Sequence, residues 1–285
     1  MQNRVFMDSH TRTNSGFTLI EMAIVLVIIG LIAGGVIMGQ NLISSASSKQ
    51  VASKLKHYEG AVMQFRSRYG ALPGDMRNAT EYWGEATSPY NTPIPTTAQA
   101  NACAAVTSTS ELTCNGDNDG QIEIASFQSN GTVHAEKFHA WKHLANAGLI
   151  TGVYTGTSIP GNVNDAEPGL NVPMGPEENS GYAFEYVAAG DSGYFNIAHG
   201  NVILFGLNTA TGTTVGPVFA PKTLWQMDRK LDDGKPATGM VRTQPAANTC
   251  TTTTSPDTAE YVRSMEEIRQ AGDGCAVVYV LPNTR

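Results

Sequence analysis

The chain has 285 residues, with 18 lysines and arginines against 25 aspartates and glutamates and a formal net charge of −7. That length fits one elaborated domain or two modest ones. A charged fraction of only 15% is not that of a disordered chain, and the acidic balance argues against a nucleic-acid binder, which normally shows a basic patch. Four cysteines are too few for a disulfide-dominated scaffold, but their even number permits two bridges in an oxidising compartment.

The first element is apolar. Phe17 to Gly39 reads FTLIEMAIVLVIIGLIAGGVIMG, and Glu21 is the only charged residue between Gly16 and Lys49. About 20 apolar residues span a bilayer, so this segment is long enough. A secretory signal would have a shorter apolar run ending in a small-residue cleavage site. Here a polar leader carrying Arg4 and Arg12 comes first, then Gly16, then the apolar run. A carboxylate inside a membrane segment costs about 2.5–3.5 kcal/mol even on lenient scales and asks for a partner. A cut after Gly16 would supply one, a new amine on Phe17. The pair could form within one helix or between neighbouring copies.

Gly16-Phe17-Thr18-Leu19-Ile20-Glu21 followed by an apolar helix resembles the class III signal of type IV prepilins and type II secretion pseudopilins. The resemblance implies a leader, residues 1–16, removed by a prepilin peptidase between Gly16 and Phe17, and N-methylation of Phe17. It implies that Glu21 neutralises the Phe17 amine of an adjacent subunit in a filament. It also implies partners: other copies or other pilins, an inner-membrane assembly platform and the lipid bilayer. Major pilins often carry a proline in the apolar helix; this sequence has none before Pro73. Gly30 and Gly34 instead form a G-x-x-x-G pair that lets helices approach, or are simply tolerated there.

Beyond residue 50 the pattern becomes periodic. Val51, Leu55, Tyr58, Val62, Phe65 and Tyr69 alternate steps of four and three, one stripe of a helix. Pro73 and Gly74 predict a stop near Gly70. The expected organisation is thus a leader (1–16), a helix (17–70, transmembrane to about 39, then amphipathic) and a head (71–285).

The ALPGD turn at 71–75, with Asn78-Ala79-Thr80 and Trp83-Gly84, resembles a group of larger pilin-like proteins, with no chemistry attached to it. Residues 84–120 read as an extended polar loop. A short helix is predicted over 135–150, with Phe138, Trp141, Leu144 and Ala145 on one face. A strand is predicted over 182–187, a hairpin over 193–207 turning at His199-Gly200-Asn201, a helix over 221–231 and a buried strand over 276–281. These elements predict an α+β, pilin-like fold, a long N-terminal helix packed on an antiparallel sheet.

Four cysteines allow three connectivities. The local pairs Cys103–Cys114 and Cys250–Cys275 are expected, because each would close a polar loop lacking a core of its own. Asn115, Asp117 and Asp119, then Gly120, Gln121 and Ile122, match the front of an EF-hand-type loop. The twelfth position is Ser126 rather than the bidentate Glu, although Glu123 could contribute. A calcium site here needs help from elsewhere, and the same composition also makes an ordinary polar turn. His139 and His143 have zinc-compatible spacing, but with Lys137 and Lys142 beside them they are expected to face solvent or cap the helix.

No G-x-S-x-G, H-E-x-x-H or phosphate-binding glycine loop occurs, so an enzyme is not expected. The resemblance implies a structural subunit of a type IV pilus or type II secretion pseudopilus, held in a bacterial inner membrane with its head in the periplasm before entering the filament. The alternative is a minor pilin acting as an adhesin or DNA-uptake subunit. After leader removal 16 basic and 24 acidic residues remain, a net charge of −8, which disfavours DNA unless a local basic patch exists.

Overall fold

The computed structural model describes residues 18–84, 111–129, 132–157, 166–209, 212–245, 249–263 and 274–282. The chain divides into two units, Met1–Ser44 and Ser45–Arg285. One helix, α1 (Leu19–Tyr69), contributes to both. In the first unit, Leu19–Val36 is long and apolar enough to cross a membrane, and no part of it is buried. Its side chains are exposed all round: Leu19 by 92% and Leu31 by 72%. An apolar surface of this extent must find lipid or other apolar helices.

In the second unit the same helix has one buried face. Val51, Leu55, Tyr58, Ala61, Val62 and Phe65 are buried, while Lys54, Lys56 and Arg68 face solvent. The helix ends where Gly70 adopts φ +73°, a left-handed conformation that favours glycine, and its N–H reaches Arg66 O at 2.8 Å. Pro73 follows.

After α2 (Ala79–Trp83), β1 (Ile124–Ser129) and β2 (Thr132–Ala135) form an antiparallel pair leading into α3 (Glu136–Asn146). A four-stranded antiparallel sheet follows, from β3 (Ser180–Val187), β4 (Gly200–Leu207), β5 (Val241–Arg242) and β6 (Val277–Val280), in the order β3-β4-β6-β5. Between β4 and β5 lies α4 (Pro221–Leu231), with its proline in the first turn, where the missing N–H costs nothing. The architecture is α+β and pilin-like in class: a long N-terminal helix, an antiparallel sheet and further helices.

The sheet covers the α1 stripe. Tyr182, Phe184, Ile203, Phe205, Val277 and Tyr279 share one core with Val51 to Phe65 and with Trp141 of α3. Tyr58 stands edge-on to Trp141 at 4.9 Å and to Tyr182 at 5.2 Å, the favoured geometry for aromatic pairs. At the rim the Tyr279 hydroxyl donates to the Glu59 carboxylate, and Ser47 donates to Glu177 at 2.6 Å. β4 is buried on both faces: Ile203 and Phe205 join the main core, while Val202 and Leu204 pack with Val187 and Val278 on the other side. Its uninterrupted apolar run is what a central strand requires.

Cys250 and Cys275 form a disulfide with Cα atoms 5.2 Å apart, both fully buried. Cys114 is also in a disulfide, and Cys103 lies outside the described residues.

Two expectations need correction. The hairpin does not lie within 193–207: β3 pairs with β4 along their whole length, and residues 188–199 are the connection. Phe195, fully buried, packs with Ala237 and Ala259 in a separate small cluster, so its apolar character reflects loop packing rather than a strand. The helix expected over 135–150 is shorter, ending at Asn146, where Gly148 takes φ +70° and Leu149 N–H bonds back to Leu144 O at 3.0 Å.

Tyr58→Ala removes the ring on which α1, α3 and the sheet converge. It is expected to destabilise the second unit by about 3–5 kcal/mol, read as a lowered midpoint in chemical denaturation of the full chain in detergent.

Candidate functional site

Two places gather the residues singled out by sequence. The first is the start of α1. Gly16 and Phe17 lie outside the described residues. Glu21, in the first turn, accepts from the Thr18 backbone N–H and from the Thr18 hydroxyl, both at 2.8 Å on Oε2. The Thr18 hydroxyl in turn accepts from Glu21 N–H at 3.3 Å. This reciprocal pair is a capping box, which satisfies N–H groups that a helix start leaves without partners. Sequence reading missed it, although Thr18-Leu19-Ile20-Glu21 spells its signature. In an apolar medium this pairing lowers the cost of the carboxylate and fixes where it points.

The second place is in the head. Asp75, Asp117 and Asp119 each offer a carboxylate oxygen, and these atoms lie within 4.8 Å of one another. Asp75 comes from the turn after α1, and the two others from the 111–123 loop. Gly74 has φ +89°, and a side chain there would meet the Glu136 carbonyl at 2.5 Å. Gly116 packs directly against the Asp75 backbone and leaves no room for a side chain. These two glycines let the turn, the loop and the start of α3 close on one another.

The loop is shaped by its own carboxylates. Asp117 Oδ1 accepts from Asp119 N–H at 3.1 Å, and Asp119 Oδ1 from Gln121 N–H at 2.8 Å. Asp75 accepts from the N–H groups of Asp119 and Gly120, each at 3.0 Å. Glu136, almost wholly buried, accepts from Asp117 N–H at 3.1 Å and from Glu123 N–H at 3.5 Å. Asn118 at φ 61° and Gly120 at φ 89° supply the bends.

Of the five residues expected at a calcium loop, the structure brings Asp117 and Asp119 together with Asp75. The Asn115 Oδ1 accepts from Thr80 N–H at 2.9 Å, near the start of α2. Gln121 lies beside the cluster, its side-chain amide donating to Asp119 Oδ2 at 2.8 Å. Burial raises the pKa of Glu123, and the charges of Asp119 and Asp117 add to the rise. The residues that sequence reasoning missed are Asp75 and Glu136. The only available signal for Asp75 was its place in the ALPGD turn.

Negative charge is concentrated here. Burial pushes the Asp75 carboxyl up to about 6, against the pull of the Gly120 N–H, and the charges of Asp119 and Asp117 add to the rise. Burial likewise raises Glu136 to about 8, with the Asp117 N–H opposing and Asp75 and Asp117 reinforcing. Arg77 approaches from outside, its guanidinium donating to the Asp117 carbonyl rather than to a carboxylate. An all-oxygen donor set that is anionic and partly buried suits a hard divalent cation such as calcium and does not suit a thiophilic one.

The histidines of α3 are not at the surface. His139 and His143 are both buried, correcting the expectation of solvent-facing side chains. His143 Nδ1 accepts from Gly74 N–H at 2.9 Å, so its Nε2, 2.8 Å from the Thr113 hydroxyl, carries the proton and donates. Its ring stacks on Trp83 at 5.3 Å. It therefore locks the ALPGD turn rather than holding a metal. Lys137 and Lys142 are buried as well: Lys137 pairs with Glu185 at 3.2 Å, and Lys142 donates to Thr155 O, with burial holding its pKa down to about 8.

Residues 11–37 match the family model of the prokaryotic N-terminal methylation motif. This motif is the class III signal of type IV pilins and pseudopilins, and the match runs from residue 11 into the apolar start of α1. No curated protein and no solved structure matches the chain.

Proposed function

We propose that this chain is a structural filament subunit of a type IV pilus or a type II secretion pseudopilus. A prepilin peptidase cuts between Gly16 and Phe17 and the new Phe17 amine is methylated. The observation that carries this reading is the methylation motif lying over a helix apolar on every side, with Glu21 as its only charge. The helix is inserted in the inner membrane with the head on the periplasmic side, then packs with the helices of other copies or other pilins on an assembly platform. Glu21 pairs with the Phe17 amine of the adjacent copy. The function is packing, and no catalytic role is assigned to the head.

The acidic pocket supports a second element. Asp75, Asp117 and Asp119, with Glu136 behind them, hold calcium, which ties the turn after α1 to the 111–123 loop and the start of α3. The donor set is hard oxygen, and a divalent ion relieves the repulsion among carboxylates that the fold forces together.

Three outcomes test these readings. Gly16→Ala keeps the leader, so the intact mass rises by the leader's mass relative to the processed chain; a mature mass in that variant places the cut elsewhere. Glu21→Val leaves the protein in the membrane but reduces its recovery in sheared filaments by about tenfold or more, since an unpaired buried amine costs several kcal/mol; normal incorporation sinks the pairing. Calcium raises the melting temperature of the full chain and chelation lowers it, and Asp117→Ala with Asp119→Ala abolishes the difference. A parent indifferent to chelator ends the calcium reading.

A further inference from the structure

α4 presents its buried side, Pro221, Leu224, Met227 and Asp228, to the core. Its opposite side carries Gln226, Arg229 and Lys230, all exposed, with Trp225 half-buried beside them. The guanidiniums of Arg229 and Arg263 lie over the Trp225 ring at 4.9 and 5.2 Å. Stacking holds each planar group by its π-face and leaves its N–H edge for an anion.

Next to this side runs a groove of about 270 Å3, wholly within the second unit, between α4 and the first turns of α1 in that unit. Ser45, Ser48, Lys49 and Ala52 form one wall; Gln226, Met227, Lys230 and Leu231 form the other. Lys49 and Lys230 thus face the same space, with two hydroxyls beside them.

Among the described residues the ion pairs are Lys56–Glu59 and Lys137–Glu185, and neither involves Lys49, Arg229, Lys230 or Arg263. The nearby carboxylates are engaged in the fold. Asp228 is buried and accepts from Gly234 N–H and the Tyr261 hydroxyl. Asp232 accepts from the N–H groups of Met240 and Val241, and Asp233 from Lys235 N–H and the Thr238 hydroxyl. Lys49, Arg229, Lys230 and Arg263 are thus exposed and, among the described residues, in no ion pair, two of them lining the groove and two lying over Trp225, on a chain whose total charge is negative.

We propose that this groove docks the anionic phospholipid headgroups of the bilayer that the chain spans. The partner is chosen by charge complementarity and by chain continuity. The α1 wall begins at Ser45, the first residue of the second unit, so it is tethered to the apolar span by a short stretch of chain. Exposed Leu42 and Ile43 immediately precede it. Serine hydroxyls, lysine ammoniums and stacked arginines are donors for phosphodiester oxygens. The contact holds the head of an unassembled subunit on the membrane surface, and it must break when the subunit enters a filament. The proposal rests on α1 being a membrane anchor.

The test uses the full processed chain in phosphatidylcholine vesicles with or without about one third phosphatidylglycerol. Both contain a lipid bearing a nitroxide on its headgroup. Flotation with the vesicles checks insertion first, and a chain that fails to float defeats the anchor reading rather than the docking. Trp225 emission is isolated as the difference between the parent and Trp225→Phe. Quenching of that emission is expected to be about threefold or more stronger in the anionic vesicles. Raised salt removes the excess, as does Lys49→Glu combined with Lys230→Glu, whose unchanged melting temperature shows an intact head. Equal quenching in the two vesicle types overturns the proposal. So does binding of a fluorescent single-stranded oligonucleotide to the neutral proteoliposomes without lipid-dependent quenching, which assigns the surface to nucleic acid.

Discussion

The head exists because the second part of α1 cannot stand alone in water. A stripe of Val51, Leu55, Tyr58, Val62 and Phe65, every member buried, must be covered over nearly its full length. The sheet alone does not do so. β3, β4 and β6 supply Tyr182, Phe184, Ile203, Phe205, Val277 and Tyr279, while α3 brings Trp141 against Tyr58 and His143 against Phe65. Most helical stability in proteins comes from such packing rather than from propensity. The stripe thereby dictates that a sheet and a second helix meet on one face of α1. The turns that carry the chain between them then become the places where chemistry can collect.

α3 illustrates the consequence. It is buried over almost its whole length, yet five of its first eight residues are Glu136, Lys137, His139, Lys142 and His143. Burying polar groups is tolerable only when each has a partner. Glu136 takes loop N–H groups, Lys137 takes Glu185, Lys142 takes a carbonyl, and His143 takes Gly74 and Thr113. The partners are spread over several segments, so the helix works as a polar hub joining the ALPGD turn, the acidic loop and the sheet. A surface helix and a polar hub have the same composition, which is why these side chains read as solvated in the sequence.

The legible parts of the chain were those whose signals are local. The α1 stripe, its stop at Gly70, the proline-led α4 and the apolar β6 all follow from spacing or from a single punctuating residue. The β1–β2 pair escaped reading despite Asn130-Gly131 between its strands in sequence, a hairpin signal, because the flanking residues lack a clear apolar alternation. At the acidic pocket, Asp117 and Asp119 were legible from alternate spacing. Asp75 and Glu136 were not, because what places them there is the close approach of backbones at Gly74 and Gly116, a tertiary fact with no pattern of its own. Spacing likewise offered Asn115, and its Oδ1 accepts from Thr80 N–H, a partner that lies 35 residues away and has no local signal.

Net charge is the property that sequence arithmetic conveys most readily, and here it hides how charge is distributed. Asp75, Glu136 and Asp228 are buried, with pKa values raised to about 6, about 8 and about 7, in each case chiefly by burial. Near neutral pH such groups contribute less negative charge than a count assumes. Lys49, Arg229, Lys230 and Arg263 are exposed. On α4 the acid Asp228 is buried while its neighbours Arg229 and Lys230 are exposed, so this helix turns its cations outward on a chain with an excess of carboxylates. Net charge argued against a nucleic-acid partner, whereas an anionic surface meets the local distribution of charge, here Arg229 and Lys230 exposed over a buried Asp228.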